Sequence, residues 1–287
     1  MANSINHKSN IETKKKLILI PNYNGAAFIL NTLKLLSAAL PGVDVVVVDD
    51  ASTDNSIKVL EGTNVEIVKR CSNGGFAAAV NTGLKFAQKN CIDYVLVCNS
   101  DLLPSLEQGE KILNALDEHM GNMVGIIGFI EGNENSTFDR PESDISGFLF
   151  WLKVDILNET GFLDERFYMY GEETDFFRRV INLGHNIVQS GVIVSHETEM
   201  SARSKFKNSW YAIRNCIFLE IKNQFYLEAV RKTGALLLIM LWIRGNRNDV
   251  STLRIRRPGL VIGPLMLLAA IGWNFWRVIL LNKDRNP

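Results

Sequence analysis

Four polar clusters each follow a run of apolar residues: Asn22-Tyr23-Asn24-Gly25, Asp49-Asp50-Ala51-Ser52, Arg70-Cys71-Ser72-Asn73-Gly74-Gly75 and Asn99-Ser100-Asp101. A carboxylate at a strand end, such as Asp50, can accept a hydrogen bond from a base imide N–H or a ribose hydroxyl; it can equally cap a helix or make a turn. Asp101, with Asn99 two residues earlier, can hold a hard divalent cation, because such cations take few protein ligands and complete their shell with phosphate and water oxygens. An Asx turn before Leu102-Leu103-Pro104 explains the same residues. Gly74-Gly75 precedes a helical pattern starting at Phe76. Two glycines there let a ligand approach the backbone at a helix N-terminus, or simply make a tight turn.

A second acidic group lies further on. Glu172-Glu173-Thr174-Asp175 follows Phe167-Tyr168-Met169-Tyr170-Gly171 and precedes Arg178-Arg179. Like charges crowded together favour uptake of a proton, which suits a general base. The same acids also suit the first turn of a helix, at the positive end of its dipole. His196 ends an apolar run, where it can be a metal ligand or a structural side chain.

These residues need a scaffold, and the apolar pattern supplies one. Short runs at 17–20, 43–48, 65–68, 93–98, 124–130 and 187–194 read as strands. Helical patterns lie between the earlier ones, at 26–38, 76–88 and 105–119, with a short helix ending at Leu60 that Thr53-Asp54 can cap. Near-continuous apolar strands alternating with helices predict an α/β fold with a mostly parallel sheet covered on both faces. Such sheets bind ligands at the C-terminal ends of their strands, where the four polar clusters fall. Residues 131–144 are polar and turn-rich and read as a loop, after which 146–151 turns apolar and aromatic.

The chain has 287 residues, 31 Lys and Arg against 31 Asp and Glu, and is 47% hydrophobic. That length supports one large domain or two modest ones, and the composition excludes a wholly disordered chain. The zero net charge is a cancellation. From Arg203 onward 15 basic residues face 4 acidic ones, a net +11, and residues 1–202 carry −11. The four cysteines form no CxxC pair, so a reduced, cytosolic chain is expected. The polar N-terminus, with only four apolar residues after Lys14-Lys15-Lys16, reads as a disordered segment over 1–14 and not as a secretory leader.

In chain order, Asn22-Tyr23-Asn24-Gly25, Val47-Val48-Asp49-Asp50-Ala51-Ser52-Thr53-Asp54, Asn73-Gly74-Gly75-Phe76-Ala77 with Asn81, and Asn99-Ser100-Asp101 are followed by Gly161-Phe162-Leu163-Asp164-Glu165-Arg166-Phe167, Tyr170-Gly171-Glu172-Glu173-Thr174-Asp175, His196, Trp210-Tyr211 and Arg214-Asn215. This order resembles glycosyltransferase family 2, in its rhamnosyltransferase-like branch, over roughly residues 15–220. The resemblance implies a GT-A (Rossmann-like) fold and inverting transfer of a sugar from a nucleotide-diphospho-sugar. It implies that Asn22, Tyr23, Asn24, Asp50, Arg70, Asn73, Gly74, Gly75 and Asn99 bind the donor. It also implies that Asp101, Asn99 and His196 hold Mg²⁺ or Mn²⁺, and that Glu173, with Glu172 and Asp175 beside it, supplies the base. Two positions depart from the family pattern: Asn99 stands at the first position of the D-x-D motif, and Glu173 is one methylene longer than the usual Asp.

The resulting organisation is a catalytic domain over 15–202, with a nucleotide half to about 130 and an acceptor half from 131, and a basic helical region over 203–287. Two apolar runs, 235–243 and 259–276, lie in that basic tail. They suit an interfacial or re-entrant helix pair on an anionic membrane face; a true span and an ordinary core or homo-oligomer interface are the alternatives. The expected partners are therefore a nucleotide-diphospho-sugar, a glycan or lipid-linked glycan acceptor and the inner membrane surface, with the protein on the cytoplasmic face or in the cytoplasm. Nucleic acid is disfavoured, because the globular part is acidic. Two other classes compete: a sugar nucleotidyltransferase or NAD-dependent enzyme on a doubly wound sheet, the former needing a Gly-rich basic loop after the first strand, and a degenerate transferase-like membrane assembly partner, which Asn99 and Glu173 would fit.

Overall fold

Strand β1 (Lys16–Asn22) is buried along nearly its whole length, as a central parallel strand must be. It pairs in parallel with β2 (Asp44–Asp49) on one side and β4 (Tyr94–Cys98) on the other. The computed structural model describes residues 14–119, 121, 123–132, 147–195, 205–240 and 262–283. His196 and most of the 131–144 loop lie outside them, as do residues 1–13.

Seven strands form one sheet in the order β3-β2-β1-β4-β6-β5-β7, with β3 at Glu66–Lys69, β5 at Val124–Glu131, β6 at Leu149–Lys153 and β7 at Asn186–Val194. The chain builds β1, β2 and β3 outward to one side, then crosses back to place β4 on the other side of β1. That reversal is a topological switch point, and it opens a crevice at the C-terminal ends of β1 and β4. Asn22 ends β1, and Asn99-Ser100-Asp101 follows β4.

The sheet is mostly parallel, as expected, with one exception that matters to the site. β6 is antiparallel to both β4 and β5. Running backwards, it starts where β4 ends: Cys98 pairs with Leu149, and Asn99 N–H donates to Phe148 O at 2.9 Å. Residues 147–148 are thereby delivered to the ligand-binding edge.

Alternate strand residues feed two cores. Ile18, Ile20, Val45, Val47 and Leu96 pack under α1 (Ile29–Ala39) and α4 (Leu106–His119). Between these in the chain lie α2 (Ser56–Val59) and α3 (Phe76–Lys89). Leu17, Leu19, Val46, Val48, Val95 and Val97 pack under α3 and under α6 (Glu172–Asn182), which follows the short α5 (Leu157–Thr160). Both faces are covered, as the near-continuous apolar runs require.

Two compact units result: Met1–Tyr168 with Glu172–Met200, and Met169–Gly171 with Ser201–Pro287. The second contains α7 (Lys205–Lys222), α8 (Tyr226–Met240) and α9 (Ile262–Lys283) around Ile213, Ile217, Leu236, Met266, Leu267 and Ala270. Two of its buried charged side chains have partners among the described residues. Glu220 meets Lys232 at 2.7 Å, and the Arg214 guanidinium lies over the rings of Tyr211 and Trp273. No helix among the described residues is long and apolar enough to cross a membrane.

Candidate active site

Parallel register brings the first site residues together. Asn22 stands opposite Asp49, and its Nδ2 donates to Asp49 Oδ1 at 3.2 Å and to Ser52 Oγ at 3.3 Å. The Asn22 side chain is buried, yet its Oδ1 accepts no hydrogen bond from the described residues. A buried amide oxygen without a donor is costly, so this atom marks a place where a ligand donor would be stabilised. Its surroundings are close-fitting: a Cβ on Gly25 would come within 2.2 Å of Asn22 Oδ1 and 3.5 Å of Ser100 Oγ. The ends of β1, β2 and β4 therefore meet here. Tyr23 is exposed beside them.

Asn24 does different work from that expected of a donor contact. Its Oδ1 accepts from Thr53 N–H at 2.7 Å and Asp54 N–H at 3.2 Å, and its own N–H donates to Ser52 Oγ. It clips the first polar loop to the second. Asp54 completes the clip by accepting from Ala26 N–H and Ser56. Burial opposes ionisation of Asp54, but these hydrogen bonds outweigh it and hold the carboxyl below its ordinary pKa.

Asp50 shows why the glycine-rich loop folds as it does. Its carboxylate accepts from Arg70 Nε at 2.8 Å, Gly74 N–H at 3.0 and 3.1 Å, and Gly75 N–H at 2.8 Å. Three N–H groups hold it, that of Gly74 being shared between the two oxygens, and the residue is 1% exposed. The side chain expected to meet the base is thus already occupied by protein donors. It supplies an internal anion at the start of α3, where backbone N–H groups favour one. Protein packs closely against the Cβ side of both glycines. A Cβ on Gly74 would come within 2.5 Å of the Arg70 guanidinium, and one on Gly75, at φ +85°, within 2.2 Å of Tyr168 O. Arg70 and Tyr168 fill the space that the missing side chains leave.

Tyr168 also donates its hydroxyl to Asn73 Oδ1 at 2.6 Å. Its φ of +67° is unusual for a bulky residue, and such backbone collects at functional sites. The turn before it is pinned by Asn81 on α3. That side chain donates to Leu163 O and Glu165 Oε1 and accepts from Leu163 N–H. In the second unit, Asn215 Nδ2 donates to the carbonyls of Met169 and Tyr170, which stand three and two residues before Glu172 in the chain.

The three acids of α6 differ sharply. Asp175 is fully buried, with Oδ2 held by Arg179 Nε at 3.0 Å. Arg179 also donates to Thr160 O and to Phe162 O. Asp175 is therefore part of the support for the 160–162 turn and is out of a substrate's reach. Glu172 is 3% exposed. Glu173 alone of the three is half-buried and open to solvent. Its Cγ lies 2.9 Å from where a Gly147 Cβ would stand, so it neighbours the segment that bonds to Asn99.

At the end of β4, Asp101 is buried and Asn99 half-buried, while Ser100 O accepts from Thr32 Oγ1. Burial pushes the Cys98 thiol pKa well up, and the neighbouring Asp101 charge adds to it. Leu103 N–H donates to Ser195 O, the residue before His196. Among the described residues no three His, Cys, Asp or Glu side chains cluster as metal donors. A donor set of Asp101 and the Asn99 amide oxygen nevertheless fits Mg²⁺ or Mn²⁺, which accept a small number of hard protein oxygens and take the rest from phosphate and water.

A parallel sheet with one reversed strand, a polar crevice at its switch point and an accessible acid at the start of α6 define a GT-A-type transferase fold. The chain belongs to glycosyl transferase family 2, whose model matches residues 17–185. It is 21% identical over 262 residues to the low-salt glycan biosynthesis hexosyltransferase Agl10 of Haloferax volcanii, covering 79% of this chain and 82% of that one. It is 30% identical over 105 residues to the undecaprenyl-phosphate mannosyltransferase of Micrococcus luteus, covering 35% of this chain and 43% of that protein's length. Among solved structures, the mannosyltransferase PcManGT of Pyrobaculum calidifontis, in complex with GDP-Man and Mn²⁺, superposes with a TM-score of 0.59 at 16% identity, over 96% of this chain and 94% of that one.

Proposed function

We propose that the protein transfers a sugar, with rhamnose the expected donor sugar, from a nucleotide-diphospho-sugar to a hydroxyl of a lipid-linked glycan, with inversion, in cell-surface polysaccharide synthesis at the cytoplasmic face of the membrane. The observation that carries the reading is the placing of Glu173. It is the one accessible acid of α6, and it adjoins the 147–148 segment that bonds to the β4 loop. Family membership and the GDP-Man complex of the Pyrobaculum mannosyltransferase support the donor class, and the Haloferax and Micrococcus relatives support a glycan or lipid-linked acceptor.

In this mechanism Asn22, Tyr23 and Asn99 face the donor, and Asn22 Oδ1 accepts a hydrogen bond from it. The Asp50–Arg70–Gly74–Gly75 network and the Asn73–Tyr168 bond hold the pocket wall. Glu173 removes the proton of the acceptor hydroxyl as its oxygen attacks the anomeric carbon. The bond from that carbon to the diphosphate oxygen breaks on the opposite face, and the nucleoside diphosphate leaves with the bonding electrons. Asp101 and Asn99, with His196, would hold a divalent cation, which when bound neutralises charge on the diphosphate. Fixing both substrates in line removes much of the entropic barrier.

Glu173→Gln and Asp101→Ala test this. In a coupled assay with nucleotide-sugar, Mn²⁺ and acceptor, Glu173→Gln should lower kcat by about 10²–10⁴-fold. Its donor Kd, measured by calorimetry, should stay near that of the wild type. Asp101→Ala should weaken donor binding in Mn²⁺ and have little effect in chelator. Full turnover by Glu173→Gln would overturn the base assignment.

A further inference from the structure

Helix α9 is apolar on both sides. From Ile262 to Trp276 its single polar side chain is Asn274. Met266, Leu267, Ala270 and Asn274 are buried within the second unit, and Asn274 donates to Arg214 O and Ala270 O. Leu265, Leu268, Ile271, Phe275 and Trp276 are exposed, at 60, 65, 40, 66 and 68%. At 3.6 residues per turn the two sets fall on opposite faces. The one polar group on this stretch thus faces inward, and the face left to solvent is apolar throughout. A helix that is apolar all round needs a second apolar environment.

We propose that this outward face of α9 docks on an anionic membrane surface. The inference deepens the membrane part of the proposed function and rests on it. Charge complementarity selects the occupant. The segment from Arg203 onward carries a net +11, and the apolar face is followed at once by Arg277 and then by Lys283 and Arg285. A second copy docking through the same face would bring +11 against +11, whereas an anionic bilayer attracts that charge. Trp276 stands exposed at the junction of the apolar and basic stretches, where an indole suits the headgroup level. The uncharged stretch 262–276 is about 22 Å long at 1.5 Å per residue, and reaching the roughly 30 Å hydrocarbon core by adding Val278 to Leu281 would place Arg277 inside it, at high cost. The helix accordingly lies in the interface, in the manner of a monotopic protein.

Flotation of the full chain with vesicles tests the proposal, using phosphatidylglycerol–phosphatidylcholine mixtures against pure phosphatidylcholine, each at low and high salt. The wild type should float with the anionic vesicles, and less with neutral ones or in high salt. Leu268→Glu with Phe275→Glu should reduce flotation at least tenfold while keeping the wild-type circular dichroism; Trp276→Glu alone should reduce it less. Unchanged flotation of the double variant would overturn the proposal. So would a wild type that never floats, or a wild-type dimer in light scattering that the double variant splits while neither binds vesicles. Donor hydrolysis is measured on the same samples. Loss of flotation with hydrolysis intact bears on this face alone, and absent hydrolysis with normal flotation bears on the transferase reading alone.

Discussion

Asp49 and Asp50 are neighbours in the chain, yet the fold gives them separate tasks. Asp49 turns to Asn22 and Ser52, at the crevice between β1 and β4, while Asp50 turns to Arg70 and the glycine loop. Successive residues at a strand end point to opposite sides, so only one of them can look into any given pocket. Asp50→Ala would leave the Gly75 N–H without its carboxylate and Arg70 without its ion-pair partner. Breaking a buried, hydrogen-bonded pair by removing one member costs about 3–5 kcal/mol. The expected loss is toward the lower end, about 3 kcal/mol, because Arg70 retains bonds to Ala78 O and Thr82 Oγ1. Urea unfolding measures it, and a variant as stable as the wild type would show that the network is not structural. That Asp50 anchors a loop was not legible in the sequence, because its partners, the Arg70 guanidinium and the backbone N–H groups of two glycines, lie 20 to 25 residues away. That a carboxylate belonged at this strand end was legible, because the four-valine run before it fixes the strand.

At the level of elements, six of the seven strands follow from apolar runs alone, and β6 does not. Residues 149–152 are apolar, but nothing local encodes a reversed direction; pairing with β4 and β5 decides it. The same holds for the turn at 161–168. Its composition marks it as special, while the reason is the Asn81 side chain more than 80 residues earlier in the chain. Asn81 ties α3 to that turn, which in turn carries Tyr168 onto Asn73 and Gly75. Asn81→Ala would orphan the buried Leu163 N–H, a loss of about 2 kcal/mol. Asn81→Asp keeps the acceptor for Leu163 N–H but sets a buried carboxylate against Leu163 O and Glu165 Oε1, so it should lose at least as much as the Ala variant. Equilibrium unfolding of the three proteins gives the ranking, and equal stability of the Ala variant would remove Asn81 from the scaffold.

Over the whole molecule, zero net charge conceals two opposite halves, −11 over residues 1–202 and +11 from 203 onward. The sequence pI of about 6.9 places the protein near neutrality at physiological pH, where net repulsion between copies is absent. Attraction between the acidic part of one copy and the basic part of another is then unopposed at low ionic strength. Its range is set by the Debye length, about 30 Å at 0.01 M salt and about 8 Å at 0.15 M. The protein should therefore associate reversibly in dilute buffer near pH 7 and disperse as salt rises through roughly 0.1–0.3 M. Raising the pH well above 7 at fixed low salt should also disperse it, since the copies then share a negative charge. Dynamic light scattering across a salt series at pH 7, and across a pH series at low salt, reads the two effects. Such association differs from docking through the α9 face, which is apolar at its centre and would hold two copies together as salt screens their like charges. A hydrodynamic radius that is constant from dilute buffer to high salt would mean that the opposite charges of the two segments are satisfied within one chain.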